Sequence, residues 1–153
     1  MTIEDDIAFF ERVPTLGLLG RDALRILAIG AESRYVHGGE VLFGIGDDAD
    51  AGFVIQEGSF SLSSGQADEV EPLVVGRGAL IGELALITET RRPATATATE
   101  PSTVLRIPRS LFLKMLDGFP NAAEKLRDLL ATRSDQSTAD IYSVRGILDA
   151  QEP

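Results

Sequence analysis

The segment Gly78-Ala79-Leu80-Ile81-Gly82-Glu83-Leu84-Ala85-Leu86-Ile87-Thr88-Glu89-Thr90-Arg91-Arg92-Pro93-Ala94-Thr95-Ala96 carries the densest chemistry of the chain. Gly82 can take a backbone geometry that other residues avoid. Residues 83–87 then suit one helical turn, whose first N–H groups lack an intrahelical acceptor. Such a terminus attracts phosphate through those donors and the helix dipole. Arg92, beyond a short loop, adds a forked and permanently charged donor. A carboxylate at Glu83, beside the same terminus, can accept hydrogen bonds from sugar hydroxyls. An anion-binding half and a diol-binding half together suit a phosphorylated ribose. Taken singly, Glu83 reads better as a carboxylate serving the helix dipole, and Arg92 also fits a surface arginine.

Upstream, glycines punctuate short apolar runs at 41–43, 53–55, 60–62 and 73–75. Short runs at this spacing, bounded by turn residues, predict strands of a barrel or sandwich. Downstream, Ala94 to Thr99 alternates with period two, and Val104 to Ile107 is apolar around one arginine. Both read as strands, joined by a turn at Glu100-Pro101. Helical spacing marks the two ends of the chain. Ile3, Ile7 and Phe10 define one helix over 3–12, and Ala23, Leu24 and Leu27 a second over 21–29. After Pro108, Phe112, Met115 and Leu116 form a stripe. Pro120 opens a further helix through Leu126, Leu129, Leu130 and Arg133. Polar residues 134–138 predict a hinge. Ile141, Val144 and Leu148 predict a last short helix that packs on this chain or on a second copy. Helices at both ends of one antiparallel β unit make an α+β protein.

Charge and composition narrow the function. The 153 residues hold 14 Lys and Arg against 24 Asp and Glu, a formal net charge of −10. A nucleic-acid binder needs a basic face, so no nucleic acid is expected as partner. Anionic lipid is disfavoured for the same reason, and no run approaches the ~20 apolar residues that span a bilayer. With no Cys and one His, thiolate nucleophiles, disulfides and multi-histidine metal sites are excluded. No nucleophile with its base is evident, so an enzyme is not expected. The acidic start (Glu4, Asp5, Asp6) is unlike a secretory signal, which points to the cytoplasm. Asp47, Asp48 and Asp50 read as a solvated turn, because a calcium loop would need a Glu near Gly58. His37 reads as a strand-edge residue. Arg91 reads as solvent-facing or paired with Glu89, and Arg106 and Arg109 as surface charges.

The central segment resembles the phosphate-binding cassette of the cyclic nucleotide-binding domain family. Gly82-Glu83-Leu84-Ala85-Leu86-Ile87 matches its first half, Arg92 falls at the family's phosphate arginine, and Ala94-Thr95 match the small residue and threonine beyond it. Residues 39–43, 46–50, 54–58 and 104–108, with Phe112, resemble further family landmarks in order. The resemblance implies an antiparallel β-roll of about eight strands with the ligand inside it. It implies a domain over 1–133, divided into a helical lead-in 1–31, a roll 33–107 and helices 109–133, and then a tail 134–153. It implies that Glu83 holds the ribose 2′-hydroxyl. Arg92, with N–H groups near Gly82, Leu84 and Ala85, would hold the cyclic phosphate of cAMP or cGMP. Val74, Leu80 and Ile81 would lie near ribose or base. Pro93 departs from the pattern: the family commonly has Ala, Ser or Thr there, and proline has neither an N–H nor a hydroxyl.

These features predict a regulatory module that senses a cyclic nucleotide. Only about 20 residues follow Ala131, so its output is expected through a partner or through self-association by the C-terminal helices. The alternative is a module that keeps the roll for protein–protein interaction and binds no nucleotide.

Overall fold

The computed structural model describes residues 2–65 and 72–140, with side chains up to residue 131. α1 (Ile3–Glu11) starts with a capping box, in which Thr2 and Asp5 each satisfy the other's backbone N–H. Three acidic residues in its first turn suit the helix dipole. Ile7, Phe9 and Phe10 are its buried face. A 3₁₀ turn (Leu16–Leu18) leads to α2 (Arg21–Gly30), which buries Ala23, Leu24, Leu27 and Ala28.

The strands then follow as β1 (Glu32–Val36), β2 (Val41–Phe43), β3 (Asp48–Ala49), β4 (Ala51–Glu57), β5 (Ser59–Ser63), β6 (Leu73–Gly76), β7 (Leu80–Ile81), β8 (Thr90–Arg91), β9 (Thr95–Ala98) and β10 (Ser102–Pro108). All pairings are antiparallel. One sheet has the order β1-β10-β4-β7, the other β2-β9-β5-β6, and β3 pairs with β8 in a short ribbon. This is the α+β roll expected, with ten strands among the described residues where about eight were expected. α3 (Arg109–Gly118) and α4 (Pro120–Asp140) complete the described chain. The expected hinge at 134–138 is absent, because α4 continues through it. Ser, Asp and Thr each cost only about 0.5–0.7 kcal/mol in a helix relative to Ala, and no Gly or Pro stands there to end it. The stripe at 141–148 lies outside the described residues.

Strand periodicity divides the core in two. On β4, Phe53 and Ile55 point into the roll, where they meet Val36, Leu42, Phe60, Ile81, Ala96, Ala98 and Val104. Val54, between them, points the other way. There it joins Leu105 and Ile107 of β10 against Ile7, Phe10, Leu24, Leu27, Phe112 and Met115 from the helices. Full burial of an apolar side chain of this size contributes about 1.5–3 kcal/mol. Each compartment is therefore a substantial core, and β4 and β10 serve both.

Candidate functional site

Gly82 ends β7 with φ 75° and ψ 31°, the left-handed region that favours glycine. The 3₁₀ turn Glu83–Leu86 follows, closed by the Ala85 N–H donating to the Gly82 carbonyl at 3.1 Å. A Cβ on residue 82 would lie 2.4 Å from Arg92 Nη1. Glycine is therefore needed twice here, for its dihedrals and to let the guanidinium lie against the backbone.

Arg92 is 4% exposed. Its Nη2 donates to the Ala51 carbonyl at 2.8 Å, while Nε and Nη1 are buried without a hydrogen-bond partner among the described residues. The guanidinium stacks on Phe43 at 4.2 Å and reaches Phe53 at 5.5 Å. Burial pushes its pKa down. The charges of Asp50 and Asp47 pull it back up, and those of Arg106 and Arg109 push it down. Unpaired buried donors on a cation are costly. A cation–π contact of ~1–2 kcal/mol offsets only part of that cost. An anion accepting from Nε and Nη1 would remove it.

The backbone around Arg92 is pinned from both sides. Its N–H donates to the Asp47 carbonyl and its carbonyl accepts from Gly46 N–H, each at 2.8 Å. Ile45 N–H donates to Thr95 Oγ1 at 2.9 Å. Asp47 Oδ2 accepts from Gly44 N–H, so this aspartate builds the turn that holds the arginine strand. Asp48 and Asp50 pair with Arg91 and Arg106. Arg91 is solvent-facing, as one of its two readings has it, and its charge lies beside Asp48 and not Glu89. His37 is exposed, edge-on to the Tyr35 ring.

The remaining expected site residues are scattered by the pleat. Ile81, opposite Phe53, faces the roll interior. Leu80, opposite Val54, packs on the helical compartment instead. Val74 pairs with Ser61 on the outer face and is 58% exposed, whereas Val75, opposite the buried Phe60, turns inward. Leu84 is exposed and Ala85 is buried. Pro93 stands exposed on the bend before β9, with Ala94 half-buried behind it. The Glu83 carboxylate reaches Thr15, and its Oε2 accepts from the Thr15 hydroxyl. The two residues share a recess with Leu86, Phe112 and Leu126.

Arg109 belongs to this site, although its sequence context suggests a surface charge. It is the first residue of α3, and its Nη1 donates to the carbonyls of Ala49 (2.8 Å), Ala85 (3.1 Å) and Thr88 (3.1 Å). A guanidinium at the C-terminal end of the 3₁₀ turn satisfies carbonyls that a helix end leaves open. Phe43 and Phe53 are likewise legible in the sequence only as core. The alternation that places Ile81 inward is the signal that also selects Phe53 and Val75.

The fold is an antiparallel roll with a buried, partly unpartnered arginine beside a short helical turn. The chain belongs to the cyclic nucleotide-binding domain family, whose profile matches residues 33–119. It is 35% identical to the cyclic nucleotide-binding-like protein of Brucella abortus, with a TM-score of 0.65, over 74% of this chain and 98% of that one. The N-terminal domain of a transcriptional regulator from Streptomyces coelicolor superposes with a TM-score of 0.77 at 28% identity, covering 86% of this chain and 93% of that domain. Lysophospholipase NTE1 of Chaetomium globosum is 30% identical over 117 residues, which are 75% of this chain and 8% of that protein. The chain thus spans less than a tenth of the length of the curated relatives it matches. No described helix is long and apolar enough to cross a membrane.

Proposed function

We propose that this chain is a regulatory module that binds cAMP or cGMP inside the roll. The cyclic phosphate sits on Arg92 and on the N–H groups of the turn after Gly82, and Glu83 takes the ribose 2′-hydroxyl. Ile81, Val75, Phe43 and Phe53 form the apolar surroundings. This reading leaves out Leu80 and Val74, which the pleat turns away from the roll interior. The observation that carries this reading is a buried arginine with two unspent donors set against a left-handed glycine. An interaction module without ligand would gain nothing from burying such a cation. Binding acts on a partner by moving the turn 83–86, which Arg109 ties to α3.

Isothermal calorimetry with cAMP, cGMP and 5′-AMP tests it. Saturable binding of a cyclic nucleotide is expected, with thermal stabilisation of about 2.7 kcal/mol at a hundredfold excess over Kd. Absence of binding by both cyclic nucleotides at millimolar concentration would refute it.

A further inference from the structure

Thr15 is 68 residues from Glu83 in sequence, and its side chain meets the carboxylate of the cassette. Among the described residues it is the only non-glycine with positive φ (φ 78°, ψ −51°). A β-branched residue in that region is an outlier. Such a conformation persists only where its surroundings over-determine it. Here those surroundings are plain. Thr15 is 7% exposed, Gly17 N–H closes the turn around it by donating to Val13 O at 2.9 Å, and its hydroxyl is held by Glu83.

The direction of the carboxylate matters. The recess that Thr15 and Glu83 share is walled by Leu86, Phe112 and Leu126, all of the helical compartment. Arg92 stacks on Phe43 and Phe53, on the roll side. A Glu83 carboxylate that turned to a ribose beside Arg92 would leave the helical side and, with it, the Thr15 hydroxyl. We propose that Thr15 is a latch. Its hydroxyl competes with the ribose 2′-hydroxyl for Glu83, so the free domain holds its ribose acceptor on the helical side and nucleotide entry releases the turn between α1 and α2. This rests on the cyclic-nucleotide reading above. Where a binding-competent form is only a fraction of the free protein, apparent affinity falls by that fraction. A latch closed in nine molecules of ten weakens binding tenfold, which matches the ~1.4 kcal/mol at the low end for a hydrogen bond to a charged group.

The test compares wild type, Thr15→Val and Thr15→Ser by calorimetry with cAMP and 2′-deoxy-cAMP. Valine keeps the shape and removes the hydroxyl, while serine keeps the hydroxyl. Thr15→Val is expected to bind cAMP about tenfold more tightly and 2′-deoxy-cAMP unchanged. Thr15→Ser should match wild type with both ligands. Equal cAMP affinity in wild type and Thr15→Val would refute the latch alone, as would equal tightening toward both ligands. If thermal unfolding shows Thr15→Val misfolded, Thr15→Ala replaces it, with the same expected and refuting results. No binding of cAMP or of 2′-deoxy-cAMP by any of the folded proteins would refute the cyclic-nucleotide reading, and the latch with it.

Discussion

Replacing Arg92 with methionine separates what the arginine does for a ligand from what it does for the fold. On the ligand side, Nε and Nη1 are the two donors left to an anion. Each hydrogen bond to a charged group contributes about 1.5–3 kcal/mol, so both together amount to roughly two to four powers of ten in affinity. On the fold side, the substitution loses the bond from Nη2 to the Ala51 carbonyl, about 1.5–3 kcal/mol. It also removes two buried unpaired donors, each costing about 1–3 kcal/mol. The stack on Phe43 and Phe53 is largely replaced, since a thioether gains about 0.3–1.5 kcal/mol against aromatic rings. Arg92→Met without ligand is therefore expected to unfold at or above the wild-type temperature, with stability raised by up to about 3 kcal/mol. Its cyclic-nucleotide affinity should fall at least a hundredfold. Calorimetry and thermal unfolding on the same samples give both numbers. A variant that melts well below wild type while its affinity hardly changes would show that the arginine belongs to the fold and that the assignment is wrong.

Gly82→Ala should lose about 1–2 kcal/mol from the left-handed φ alone. Its Cβ also displaces Arg92 Nη1, so affinity should fall at least tenfold; wild-type affinity in the calorimeter would contradict this packing. Arg109→Met removes the donor shared by three carbonyls and should destabilise the domain by about 1.5–3 kcal/mol. Hydrogen exchange should speed up in residues 83–88 more than in β4, and a uniform change would argue against a local clamp. Gly58→Ala sets a Cβ 2.0 Å from Ser102 Oγ at φ 92° and should cost well over the ~1 kcal/mol typical of a point mutation, as chemical denaturation would measure.

The cassette is legible in the sequence because its chemistry is local. Gly82, Glu83 and Arg92 fall within eleven residues, and each needs a particular side chain or its absence. Most of the longer strands are legible because a short apolar run or a period-two alternation marks them. β3, β7 and β8 are two residues each, and two residues carry no period. β1 is invisible as an apolar run because it is a sheet edge with only Val36 buried. Arg109 reads as a surface charge because its partners are carbonyls, which every residue has, so no sequence pattern marks them. The Thr15–Glu83 bond joins segments that only the fold brings together. The family resemblance implies Val74 and Leu80 near the ligand, and the strand register, which sequence does not show, turns both away from the roll interior.

The wall formed by β4 and β10 has a genetic corollary. Consecutive residues along it answer to different masters: Phe53 and Ile55 to the roll interior, Val54 to the helices. A saturation screen along β4 that scores ligand response and cellular abundance separately would therefore trace a zigzag. Small changes at 53 and 55 would shift response as well as abundance, and the same changes at 54 would lower abundance while leaving the sensitivity of the surviving molecules intact. Selection can thus retune the roll interior one strand position at a time without renegotiating the helices behind it.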